Sequence, residues 1–185
     1  MKKSIIASVI ALGMVSGVAQ AAAPQQDVTF TGSVTAVTCD LTITGEGANG
    51  SLPNQVALGT AKVGEKAQPV EFIFKPSQTA GNQAACDQMQ DGNKANITWF
   101  GSTFDGTALT NASGTAAGAY VEIKATNADG ADNNKVVKAS GTEHKFPASH
   151  LKTGGEGLKY SAQLDATGAQ AGSVETIARY AFSYK

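Results

Sequence analysis

Ser173-Val174-Glu175-Thr176-Ile177-Ala178-Arg179-Tyr180-Ala181-Phe182-Ser183-Tyr184-Lys185 closes the chain, and its second half decides the fold. Ala178, Tyr180, Phe182 and Tyr184 occupy every second position, so a strand here sets all four side chains on one face. Three aromatic rings in such a row need a core to cover. Gly172 precedes the segment, fourteenth from the end with Lys185 counted as first. No later strand follows to pair with the outer edge, and an edge of this kind invites a strand from elsewhere.

The same period of two runs through the rest of the sequence. Val28, Phe30, Gly32 and Val34 alternate with Thr29, Thr31, Ser33 and Thr35, and Val70, Phe72 and Phe74 alternate with Glu71, Ile73 and Lys75 before Pro76 stops the run. Further strands are expected over Asn96 to Gly101, Ala119 to Thr126, Lys135 to Ala139, Lys159 to Asp165 and, last, Ser173 to Lys185. Turn-rich stretches separate them: Thr44 to Gly50, Thr110 to Gly118, Asn127 to Asn134 and Thr153 to Gly157. No window holds an apolar stripe at helical spacing for three turns. Many short strands divided by such loops imply an all-β antiparallel sandwich or barrel rather than βαβ units.

At the other end, Lys2 and Lys3 precede an uncharged, largely apolar run from Ser4 to Val18, and Ala19-Gln20-Ala21 supplies a small-x-small cleavage site. Residues 1–21 read as a secretory signal peptide; the alternative, a lone transmembrane helix, has too short an apolar run for the ~20 residues a bilayer needs. Removing 21 of 185 residues leaves 164, enough for one domain with a real core. That mature part carries 12 basic and 15 acidic residues, a formal charge of −3, and its single arginine is Arg179. Nucleic-acid binding is not expected, because phosphate contacts need clustered Lys and Arg. Cys39 and Cys86 fit a disulfide made in an oxidising compartment, against the alternative of two buried free thiols.

Taken in order, these segments resemble the major subunits of chaperone-usher fimbriae, the type-1-like pilins, across essentially the whole mature chain. The carriers are Val28-Thr29-Phe30-Thr31-Gly32-Ser33-Val34 followed by Cys39; Val56-Ala57-Leu58-Gly59; Val70 to Phe74 ahead of the second cysteine; and Gly172 with the penultimate aromatic Tyr184. One departure is that Pro76 to Ala85 intervene between strand and second cysteine, where many such pilins have the cysteine directly after the strand. The resemblance implies an incomplete immunoglobulin-like β-sandwich completed by a donor strand from a neighbouring subunit. It implies a groove beside the closing strand, whose residues Gly172, Ala178, Tyr180, Phe182, Tyr184 and Lys185 would bind first a periplasmic chaperone and then a donor. Residues 22–31 would be the donor extension, with Val28 and Phe30 as its anchors, and residues 32–185 the pilin domain. The alternative is that Val28 and Phe30 belong to the first strand of their own sandwich. Implied partners are identical or related subunits, the chaperone and an outer-membrane usher, and the implied location is a fimbrium on the bacterial surface.

Chemistry-bearing patterns are lacking. His144 and His150 lie in a polar stretch around Phe146-Pro147, with no G-x-S-x-G, no H-E-x-x-H and no cysteine-histidine cluster, and read as solvent-exposed histidines rather than catalytic ones. Asp129, Asp132, Asn133 and Asn134 lack the spacing of a calcium loop. Gly154-Gly155-Glu156-Gly157 is not a phosphate loop, since no Lys-Ser/Thr follows, and Asn96-Ile97-Thr98 and Asn111-Ala112-Ser113 carry little weight as glycosylation sequons. No catalytic residue, metal or cofactor is expected. Besides a structural subunit, two other classes remain. One is a subunit that itself binds host glycans through loops Thr103 to Gly118 and Asn127 to His150; the other is a free-standing secreted sandwich, which should refold without a chaperone.

Overall fold

The computed structural model describes residues 38–48 and 54–185. The signal peptide, the donor extension and its anchors Val28 and Phe30 lie outside the described residues. Eight strands form, every pairing antiparallel: β1 (Leu41–Thr44), β2 (Val70–Pro76), β3 (Lys94–Phe100), β4 (Leu109–Thr110), β5 (Tyr120–Ala125), β6 (Thr142–Pro147), β7 (Leu158–Asp165) and β8 (Arg179–Tyr184). A five-stranded sheet has the order β1-β2-β7-β5-β4 and a three-stranded sheet the order β6-β3-β8. Two antiparallel sheets of unequal width give the incomplete immunoglobulin-like sandwich that the resemblance to pilins implied.

Alternation decides which face of each strand is covered. Phe72 and Phe74 on β2, Ile97 and Trp99 on β3, Val121 and Ile123 on β5, and Leu158, Tyr160 and Ala162 on β7 are buried between the sheets. Register then puts rings together: Phe72 faces Tyr160 across the β2/β7 ladder and stacks on it at 5.4 Å, while Trp99 of the other sheet meets Tyr160 edge-on at 5.4 Å. Tyr160 is fully buried at the centre of this cluster. Each large side chain so enclosed contributes ~1.5–3 kcal/mol to the folded state.

Cys39, just ahead of β1, is bonded to Cys86 with their Cα atoms 4.8 Å apart. The inserted residues after β2 explain where the second cysteine sits. They turn at Gly81, whose φ of 80° is a left-handed conformation, and form the short helix α1 (Asn82–Asp87), so Cys86 lies on a helix packed at the end of the sheet. Asn82, buried to 2% exposure, fixes this helix to the β1 lead-in: its Oδ1 accepts from Asp40 N at 2.7 Å, and its Nδ2 donates to Asp40 O at 2.9 Å and Ser77 O at 3.0 Å. A bond closing a separation of 47 residues restricts the unfolded chain by ~4 kcal/mol on the chain-entropy model.

Two expectations need correction. Lys135 to Ala139 is not a ladder strand; it makes one isolated bridge, Lys124 with Val136, and Val137 N donates to Ile123 O at 2.8 Å. The chain leaves Asn134 at φ 61° and reaches the sheet for a single step, which suffices to bury Val137. The strand in this region is β6, and it overturns the reading of His144 as solvent-exposed. His144 and Phe146 alternate inward on β6, and both are fully buried. His150 is partly covered, on a 3₁₀ turn (Ala148–Leu151) after β6.

A cleft beside the closing strand

The three-stranded sheet does not span the width of the five-stranded one, and the difference appears as a cleft of about 430 Å³. Its floor comes from strand after strand of the wide sheet, with Phe72, Ala162, Ile123, Val121 and Leu109 lying next to one another across it. Ile43, Val56 and Leu58 form one wall. Val174, Thr176, Ala178 and Tyr180 of the closing segment form the other, with Trp99 behind them.

Parity along the closing segment separates side chains from backbone groups. Val174, Thr176, Ala178, Tyr180 and Phe182 are half-buried, whereas Arg179, Ala181 and Ser183 are exposed. Tyr184 continues the inward row beyond the covered part of the sheet and is 42% exposed, its ring 5.9 Å from that of Phe182. Tyr180 packs its ring 4.6 Å from Phe74. Gly172 lies at the head of the segment against the 115–116 turn, where an added Cβ would sit 2.5 Å from Ala116 N.

The hydrogen bonds fall to the odd-numbered residues. Lys185 N and O exchange bonds with Lys94 at 3.1 and 2.8 Å, and the register pairs Ser183 with Asn96, Ala181 with Thr98 and Arg179 with Phe100. In an antiparallel ladder every second residue bonds the same neighbour, so the N–H and C=O groups of even-numbered residues point away from β3. Those groups, from Val174 to Tyr184, find no partner among the described residues. From Val174 to Tyr180 the same residues thus present their side chains, Val174, Ala178 and Tyr180 apolar among them, to the cleft and these main-chain groups to its edge, the two features that hold an added strand.

Sequence reading missed the polar residues that shape this edge. Ser173 to Ile177 lies outside β8 but is held by the 103–116 loop, above all by Asn111. Its Oδ1 accepts from Glu175 N at 2.9 Å and its Nδ2 donates to Ser173 O at 3.1 Å. The only hint was an Asn in a turn-rich segment, and its partner lies 62 residues away.

Away from the cleft, the Nδ1 of His144 lies 3.1 Å from the Tyr160 hydroxyl. Burial lowers the His144 pKa to about 4; Lys135 adds to the fall and Asp132 opposes it. Burial likewise raises the Tyr160 hydroxyl well above its ordinary value. These groups sit inside the core with no access from the cleft edge, as a structural pair does.

The chain is 34% identical, over 185 residues and the whole of both chains, to the F107 fimbrial protein of Escherichia coli. Its fold matches the crystal structure of the P pilus rod subunit PapA with a TM-score of 0.50 at 17% identity, covering 86% of this chain and 100% of that one. A chaperone-usher pilus described for rod uncoiling aligns with a TM-score of 0.45 at 18% identity, over 88% of this chain and 96% of that one. No protein-family model matches.

Proposed function

We propose, because the chain belongs to the family of chaperone-usher fimbrial subunits, that it builds a bacterial surface fimbria by lending an N-terminal strand to one neighbour and borrowing a strand from another. It is a structural subunit of the fimbrium. In the proposed cycle, a periplasmic chaperone first covers the cleft edge, and the outer-membrane usher then exchanges it for residues 22–31 of the next subunit. The finished fibre supports attachment to host surfaces. We read the chain as having no enzymatic activity of its own, in keeping with its structural relatives.

The observation that carries this reading is the coincidence of two rows on the same residues. From Val174 to Tyr180 the even-numbered side chains line the cleft, while their N–H and C=O groups lack partners among the described residues. Unpaired main-chain groups along an exposed apolar edge are a ready template for another strand. A donor whose Val28 and Phe30 face the cleft would bury two large apolar side chains, at roughly 1.5–3 kcal/mol each. Main-chain bonds then fix the register, since a slip of one residue would turn both anchors to solvent.

The test is a pair of variants expressed with the cognate chaperone and usher. Phe30→Asp should stop fibre formation, and Thr29→Asp, on the opposite face of the same segment, should assemble nearly as wild type. Equal assembly by both would overturn the assignment of residues 22–31 as a donor.

A further inference from the structure

Residues 174–177 line the cleft without belonging to any sheet. Something other than a neighbouring strand must keep them extended. The substitute is the 103–116 loop, which takes up the N–H and C=O of Ser173 and Glu175 and the C=O of Ile177. Ser173 N donates to Thr115 Oγ1 at 3.0 Å, and Ser173 O accepts from Ala116 N at 2.9 Å. Glu175 O accepts from Ala112 N at 2.8 Å and Ser113 N at 3.2 Å, and Ile177 O accepts from Thr103 Oγ1 at 3.3 Å.

Asn111 joins the two halves of this arrangement. Within its own turn its Nδ2 donates to Ala116 O at 3.0 Å and its Oδ1 accepts from Gly114 N at 3.1 Å. Toward the closing segment the same two atoms bond Ser173 O and Glu175 N. The two amide hydrogens and the two lone pairs are all engaged, so no other side chain of this size could replace it. The backbones touch as well: a Cβ on Gly114 would lie 2.1 Å from Ser173 O. All of these bonds lie on one side of the segment, leaving the N–H and C=O groups of Val174 and Thr176 directed toward the cleft edge.

We infer that Asn111 is a positioning residue for strand addition, holding 173–177 in strand conformation so that an incoming strand can pair from Val174 onward rather than along β8 alone. This rests on the donor-strand reading proposed above. Without Asn111 the run-in must be ordered at the moment of pairing, and the entropy of fixing several residues then opposes addition.

The experiment uses the chaperone-bound subunit purified from periplasm, challenged with a synthetic peptide of the donor extension, residues 22–31, and with two peptides shortened by three residues at one end or the other. Release of chaperone is followed in time. Wild type should be slowed by whichever truncation removes the part pairing with Val174 to Ala178. Asn111→Ala should exchange with the full peptide at least tenfold more slowly and lose its sensitivity to that truncation. A merely structural role for Asn111 would slow all three peptides alike and leave the sensitivity in place, which would overturn the inference. Full-rate exchange by the variant would overturn it too. If wild type itself released no chaperone to any peptide, the donor-strand reading would fail first. Should Asn111→Ala not be recovered with chaperone, Thr115→Val, which removes the rim bond to Ser173 N, takes the same test with a smaller expected loss of sensitivity, and unchanged sensitivity there counts against the proposal.

Discussion

Replacing Ala178 with aspartate and comparing it with Ala181→Asp separates the two faces of the closing strand. Ala178 is half-buried and lines the cleft, while Ala181 is exposed on the opposite face. A strand laid along the edge would enclose a carboxylate at position 178 in a cleft lined by Val56, Trp99 and Tyr180, and among the described residues no lysine or arginine lines the cleft to pair with it. Protonation caps the cost. Neutralising a carboxyl of ordinary pKa near 3.9 at pH 7 takes ~3 pH units at ~1.36 kcal/mol each, about 4 kcal/mol or roughly a thousandfold in the strand-addition equilibrium. Ala181→Asp adds one charge to a solvated face, worth about 0.5 kcal/mol or less. Both variants are expressed with chaperone and usher, and assembled material is measured as the ladder on unheated gels, normalised to chaperone-bound subunit. Ala178→Asp should abolish the ladder and Ala181→Asp should preserve it. A full ladder from Ala178→Asp would refute the assignment of even-numbered residues to the cleft.

Further expectations follow from the core. His144 is held near a pKa of about 4 against an ordinary value near 6.5, so the folded state binds fewer protons; its contribution is present above pH 6.5 and is lost as pH falls toward 4, by roughly 3 kcal/mol. The unfolding midpoint of chaperone-free assembled subunit should fall over that window, and His144→Gln should flatten the fall. Asn82→Ala leaves Asp40 N without its partner and should cost ~1–3 kcal/mol in denaturant unfolding, without altering assembly in cells at low temperature. Reducing or replacing the Cys39–Cys86 bond should lower stability by ~2–5 kcal/mol, visible as loss of periplasmic subunit on non-reducing gels.

How far the fold could be read in advance depended on whether a segment's own pattern or a distant partner shaped it. Phe72 and Phe74 or Tyr180 and Phe182 alternate strongly enough to define β2 and β8 alone, and the cleft wall was legible from the latter. Strand β6 was not, because Thr142-Glu143-His144-Lys145-Phe146-Pro147 has only one unmistakably apolar inward residue. A histidine reads as polar until the burial around Tyr160 is known. The helix carrying Cys86 spans only Asn82–Asp87, too short for a periodic stripe to register. Asn82 and Asn111 escaped notice for another reason. Their work is done by hydrogen bonds to backbone 42 and 62 residues away, which leave no local signature. Asn111 sits in a sequon given little weight from sequence, and its side-chain amide is wholly occupied within the fold.

The most direct measurement of the central claim is assembly by a chain lacking residues 22–31, expressed with its signal peptide, chaperone and usher. The cleft and its edge would remain intact in such a chain, so it should fold on the chaperone and still accept a strand while having none to give. Electron microscopy should then show bare cells, and unheated gels should show chaperone-bound monomer with no ladder. Normal fibres from the truncated chain would contradict the account, because the strand filling the cleft would have to come from somewhere else.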